Sequence, residues 1–231
     1  MPRPSKPLIQ RDSVVEASLR IIDTEGLAAF SLPRLARELN VRAPSLYHHF
    51  EDKAAILRAV ARAVMLEVRY PDPNSVPNWI EWQVALSLAA RDSILRHGNA
   101  APILLEFMPR DVMIAAYNRS AALMFSLGVP VDKVLTVIDG LDKLTISAAL
   151  SEAMRGIDDH GQLFGNADPA LQPDLAKAVA ANRRSTAGVF AESIRSFLRG
   201  AAPDVPDTAP APTHEILLPN NQWPVASPAA S

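Results

Sequence analysis

No cysteine occurs anywhere in the sequence. Disulfides and thiolate metal sites are both excluded, and stability has to come from packing. Long apolar runs are missing as well: none approaches the ~18 residues that a membrane span requires. The basic, proline-rich start "MPRPSKPLIQRDS" has no apolar signal-peptide core. Alternating apolar and polar positions, the mark of a half-buried strand, are not found, nor is any internal repeat. The motifs G-x-S-x-G, Walker A and the dinucleotide glycine pattern do not occur. "THEILL" starts like a metalloprotease motif but lacks its second histidine. The adjacent His48 and His49 stand ~100° apart on a helix and do not share a metal. The sequence therefore leads us to expect no metal, no cofactor and no catalytic centre, in a cytoplasmic protein.

Positive charge is scarce overall, with a formal net of -2, but it is unevenly placed. Residues 1–70 hold 11 Lys+Arg against 8 Asp+Glu, leaving 12 against 17 for the remainder, so the first part is the one suited to a polyanion. Helical periodicity dominates the chain and predicts an all-α fold. A first helix over 11–25 places Val15, Leu19 and Ile22 on one face, and Gly26 stops it. Ser31 caps a second, in which Leu32, Leu35, Ala36 and Leu39 recur at helical spacing and Asn40 makes the turn. A longer helix follows over 52–70. Three prolines in "YPDPNSVPNW" mark a module boundary. Further helices are expected near 76–97, 101–107, 111–127, 131–155, 170–182 and 184–199. The resulting division is a basic arm (1–10), a helix-turn-helix head with its connecting helix (11–70), a helical body (71–200) and a Pro/Ala-rich disordered tail (201–231), with "EILL" and Trp223 as its candidate docking points.

Between head helices lies "VRAPSLYHHFEDKAAIL", residues 41–57. Pro44 suits the first turn of a short helix ending near Phe50. At 100° per residue Leu46 and Phe50 share the inner face, while Pro44, Ser45, His48 and His49 face outward and Tyr47 sits at the edge. Such a second helix fits the DNA major groove, about 12 Å wide. Small Ala43, Pro44 and Ser45 permit close approach, and imidazoles reach purine N7 or phosphate. Tyr47 and Lys53 flank the helix and suit phosphates, as do Ser31 and the amides at its helix start.

"SLPRLARELNV" followed by "APSLYHHFEDKAAIL" resembles the TetR family of bacterial repressors over residues 13–57, through its apolar positions, its turn and its Tyr-x-His-Phe-x-x-Lys spacing. The Pro-Ser-Leu-Tyr-x-His version is similar to the tetracycline-repressor branch. The resemblance implies base contacts for Arg42, Ala43, Pro44, Ser45 and His48, and phosphate contacts for Tyr47, His49 and Lys53. Asn40 stands where the family usually has a turn glycine, and Arg42 where many members have Ser or Thr. The rest of the chain, by the same resemblance, forms a ligand-binding and dimerisation body.

Specific reading by so short a helix calls for two copies about 34 Å apart on a palindromic operator, hence a homodimer. Stripes at Val134, Leu135, Ile138 and Leu141 and at Val189, Phe190, Ile194, Phe197 and Leu198 suit either a four-helix interface or the subunit's own core. Polar or aromatic groups within the apolar helices, His97, Asn99, Phe107, Met113, Tyr117 and Asp142, are candidates for a small-molecule inducer site. The expected function is a ligand-responsive repressor. The rivals are a helical small-molecule carrier or enzyme whose head contacts proteins, and a regulator that takes no ligand.

Overall fold

The computed structural model describes residues 10–154 and 163–213. Among these residues nine α-helices form and no strand: α1 Arg11–Glu25, α2 Leu32–Glu38, α3 Lys53–Leu66, α4 Trp79–Arg96, α5 Ala101–Glu106, α6 Arg110–Ser126, α7 Val131–Met154, α8 Pro173–Ala181 and α9 Thr186–Ala201. The expected arm lies outside the described residues except for Gln10.

Local chemistry sets the helix ends. Ser31, Asp52, Asn78 and Ser185 each accept a hydrogen bond from the backbone N–H three residues on, which satisfies an otherwise orphaned donor and stabilises by about 1 kcal/mol. Gly26 closes α1 at φ +84, its N–H donating to the Ile22 carbonyl at 2.9 Å. Asn40 takes the left-handed conformation at φ +52 after α2, as its short amide side chain allows. The connecting helix stops at Leu66, earlier than the expected residue 70.

One apolar cluster runs without a break from Val14, Ile21 and Leu35 in the head, through Ile56, Val60 and Val64 of α3, to Ile94, Leu104 and Leu150 in the body. Head and body are thus welded through α3. A second cluster gathers Trp79 and Trp82 of α4, Val137 and Leu141 of α7, and Ile194 and Leu198 of α9. Arg195 of α9 grips Glu81 of α4 in a bidentate pair at 2.7 and 2.8 Å, and Arg91 does the same to Glu152 of α7. The hydrogen bond from Arg195 holds the Glu81 carboxyl below its usual range. Where α7 and α9 meet, Gly140 is faced by the Phe197 ring: a Cβ there would lie 2.1 Å from the ring tip.

Residues 201–213 correct the expectation of a disordered tail. Ala202 and Val205 are buried, the Trp79 indole N–H donates to the Pro206 carbonyl at 3.0 Å, and the Trp79 backbone N–H donates to that of Ala209 at 3.1 Å. Composition suggested a solvated coil, but a fully buried tryptophan with two donors recruits these carbonyls. Residues 214–231, including "EILL" and Trp223, lie outside the described residues.

The stripes read as a possible dimer face mostly serve the subunit itself. Val134, Leu141, Phe190, Ile194 and Leu198 are buried in the second cluster, and Leu135 alone of these stripes is exposed.

Candidate nucleic-acid interface and ligand cavity

The chain after α2 turns tightly, with the Val41 N–H donating to the Ala36 carbonyl at 2.9 Å. It then winds as a 3₁₀ segment over Ala43–His48, shorter and tighter than the α-helix expected over 44–50. At three residues per turn, positions i and i+3 eclipse. Ala43, Leu46 and His49 therefore line up on the inner side, with Leu46 fully buried and the other two half-buried. His49 is corrected from an outward to a half-inward residue for this reason. Phe50 is buried immediately after the segment. Arg42, Pro44, Tyr47 and His48 are exposed and Ser45 is half-buried. Tyr47, at 56%, is more open than its expected edge position.

The flanking groups are partly engaged within the protein. Ser31 lends its oxygen to the Arg34 N–H at 3.3 Å, leaving its own O–H free to donate. Lys53, exposed at the first turn of α3, donates to the Phe30 carbonyl at 3.0 Å and lies 5.4 Å from the Phe30 ring centre. Arg11, not anticipated from the sequence, donates to the His49 carbonyl at 2.9 Å with its guanidinium 4.2 Å from the Phe50 ring centre. No local pattern marks it, since the contact spans 38 residues. Arg34 is held between Glu25 and Glu38, its hydrogen bonds keeping the Glu25 carboxyl below its usual range.

The body residues singled out from sequence separate into three places. Met113, Tyr117 and Asp142 come together on a cavity of about 90 Å³ between α3, α4, α6 and α7. The Tyr117 hydroxyl donates to Asp142 at 2.7 Å. Burial pushes the Asp142 carboxyl up, and burial and then this hydrogen bond push the Tyr117 phenol up. Met65, in the last turn of α3, and Val68, just past its end, line the same cavity. His97 and Asn99 are elsewhere: the His97 ring, at the end of α4, lies between Asp23 of α1 at 2.8 Å and Glu67 just past α3 at 3.0 Å, while Asn99 donates to the Asp23 carbonyl. Through these bonds they tie the end of α4 and the turn after it to α1 and to the residue after α3. Phe107 lines a separate open groove of about 1110 Å³ between head and body, beneath the Arg58 guanidinium and beside the Arg62–Asp111 ion pair.

Gln83 also lines the cavity and was missed. A signal existed: Trp79, Gln83 and Ser87 recur every four residues, so the inward face of α4 carries an amide and a hydroxyl among apolar neighbours.

A helix-turn-helix with a buried Leu46/Phe50 side and an open Pro44/His48 side can be compared with known proteins. Residues 14–60 match the family of bacterial regulatory proteins described as the tetR family. Residues 14–60 are thus a TetR-family domain. The chain is 22% identical over 162 residues to the class E tetracycline repressor of Escherichia coli, covering 70% of the chain and 77% of that repressor. It is 25% identical over 173 residues to the class A repressor from transposon 1721 in the same organism, covering 74% and 80%. Its fold is similar to that of the Streptomyces coelicolor TetR family protein ActR in complex with actinorhodin, with a TM-score of 0.70, 25% identity, and coverage of 88% of this chain and 100% of ActR. Among the described residues no helix is long and apolar enough to cross a membrane.

Proposed function

We propose that this chain is a dimeric repressor that binds a palindromic operator through residues 43–48 and lets go when a small molecule enters the cavity at Tyr117 and Asp142. The observation that carries this reading is the cavity wall: Met65 lies in the last turn of the helix whose start, at Lys53, borders the DNA-facing turn, and Val68 follows just past that helix's end. A ligand that swells the cavity moves α3 and the head with it. At about 90 Å³ the cavity is far below the roughly 300 Å³ or more of drug-sized sites, so an occupant of that size has to displace its walls. Releasing DNA 100-fold takes about 2.7 kcal/mol of coupling. The His97 clamp supports this, since it ties the end of α4, another wall of the cavity, to both Asp23 and Glu67.

In the DNA complex, Arg42, Ala43, Pro44, Ser45 and His48 meet base edges, and Tyr47, Lys53 and the Ser31 hydroxyl meet phosphates. Half-buried His49 and exposed Arg11, which donates to the His49 carbonyl, back the reading turn. Dimerisation is supported by an apolar groove of about 470 Å³ between α8 and α9, bordered by exposed Phe164 and Leu175, with exposed Leu171 close by in sequence; a second copy is its natural cover. ActR, crystallised with actinorhodin, supports a ligand-taking body.

The test is a gel-shift and sedimentation experiment on DNA flanking the chain's own gene. The reading expects a sequence-selective, salt-sensitive complex of two chains per site; a single chain per site, or binding indifferent to sequence, would refute it.

A further inference from the structure

Gln83 is 2% exposed, lines the cavity, and its Nε2 has no hydrogen-bond partner among the described residues. A buried amide donor left without an acceptor is destabilising, so it marks where an incoming acceptor gains most. Asp142 on the same cavity already accepts the Tyr117 hydroxyl. An ionised carboxylate only accepts and has lone pairs to spare, so it calls for a second donor. Ser87 and Thr145 add hydroxyls, and most of the remaining wall is apolar. Among the described residues no Lys, Arg or His lines it.

Charge decides what this wall refuses. Burial is the largest influence on Asp142 and pushes its carboxyl up, as does Asp139, while the Tyr117 hydrogen bond, Arg110 and Lys143 act the other way. A site already unfavourable to one negative charge is more so to a second, which would meet an apolar wall with no cation among its described lining residues.

Resting on the ligand-responsive reading above, we propose that the cavity selects a neutral, mostly apolar ligand that offers a carbonyl-type acceptor to the Gln83 amide and a hydroxyl donor to Asp142, and that it rejects carboxylates, sulfates and phosphates. The acceptor matches the orphaned N–H, the donor matches the acceptor-only carboxylate, and the apolar body matches the remaining wall. Gln83 and Asp142 are therefore the pair that sets specificity.

The experiment uses the full chain and three matched probes: 4-(hydroxymethyl)acetophenone, 4-acetylbenzoate, which replaces the alcohol by a carboxylate, and 4-ethylbenzyl alcohol, which lacks the carbonyl. Calorimetric titration at neutral pH should show the first binding about tenfold or more tighter than either of the others, the effect of one buried hydrogen bond made or missed. Gln83→Leu should abolish the preference for the ketone over the ethyl compound, and Asp142→Asn, which can still accept from Tyr117, should narrow the gap against the carboxylate. Equal or tighter binding of 4-acetylbenzoate, an unchanged ketone preference in Gln83→Leu, or no binding of any probe would overturn the proposal. Operator release, followed separately by fluorescence anisotropy, tells the two readings apart. A hydroxymethyl ketone that binds through Gln83 without loosening DNA refutes ligand response and leaves the specificity standing. A carboxylate that binds and releases DNA refutes the specificity and leaves ligand response standing.

Discussion

Lys53 offers a test that separates a structural role from a DNA-positioning one. Its ammonium has three N–H bonds; one is committed to the Phe30 carbonyl, and the side chain also stands over the Phe30 ring. Lys53→Met keeps an alkyl stem over that ring and removes the charge. The lost hydrogen bond is worth about 0.5–1.5 kcal/mol and the exposed cation–π contact about 0.5–1 kcal/mol. Folding should weaken by about 1–2.5 kcal/mol, a fall in Tm of about 2–10 °C for a chain of this size. Each phosphate contact removed lowers the slope of log K against log salt by about 0.9, so a dimer that loses two should lose about 1.8. Fluorescence anisotropy across a salt series, with operator and with an unrelated duplex, reads both effects, and the two duplexes should weaken by the same factor. A lower Tm with an unchanged slope would show that Lys53 only ties α3 to Phe30. A drop near 0.9 would mean one head, not two, engages the duplex.

Three other substitutions probe the body. In Gly140→Ala, the new Cβ would lie 2.1 Å from the Phe197 ring tip; the overpacking cost of about 1–3 kcal/mol exceeds the roughly 1 kcal/mol gained in helix propensity, so chemical denaturation should show a net loss that Phe197→Leu relieves. Truncation after Gly200 removes both acceptors of Trp79 and should cost at least about 2 kcal/mol in thermal unfolding; an unchanged Tm would mean that residues 201–213 contribute nothing. For Asp142, burial raises the folded carboxyl above its ordinary range, so its contribution to stability is complete at acid pH and is lost as pH rises through the raised value. Asp142→Asn should therefore melt higher than the parent at neutral pH, and the difference should close on acidification; a gap that widens in acid would reverse the assignment.

What could be read from the residues followed from local rules. The caps at Ser31 and the turn at Asn40 announce themselves, and the inward Leu46 and Phe50 follow from spacing alone. The winding of residues 43–48 did not: a proline start is compatible with both α and 3₁₀ turns, and the choice between them moved His49 to the inner side. His97 was a polar residue at the end of an apolar helix, and only the packing of α4 against α1 shows it reaching Asp23, 74 residues away. Composition misjudged 201–213 because the donors that hold it belong to Trp79, on another helix. Met113, Tyr117 and Asp142 were identified individually, and the fold brings them to one cavity. For His97, residues 201–213 and the cavity, tertiary contacts of long sequence separation account for the difference.

The central claim is that the open side of residues 43–48 enters a DNA groove. Ser45→Glu puts a negative charge on that side while leaving the buried Leu46 and Phe50 untouched. Anisotropy titration of this variant against the DNA beside its own gene, with thermal melting as the folding control, measures the claim directly. The account predicts an unchanged Tm and loss of the sequence-selective complex; wild-type affinity in the folded variant would contradict it.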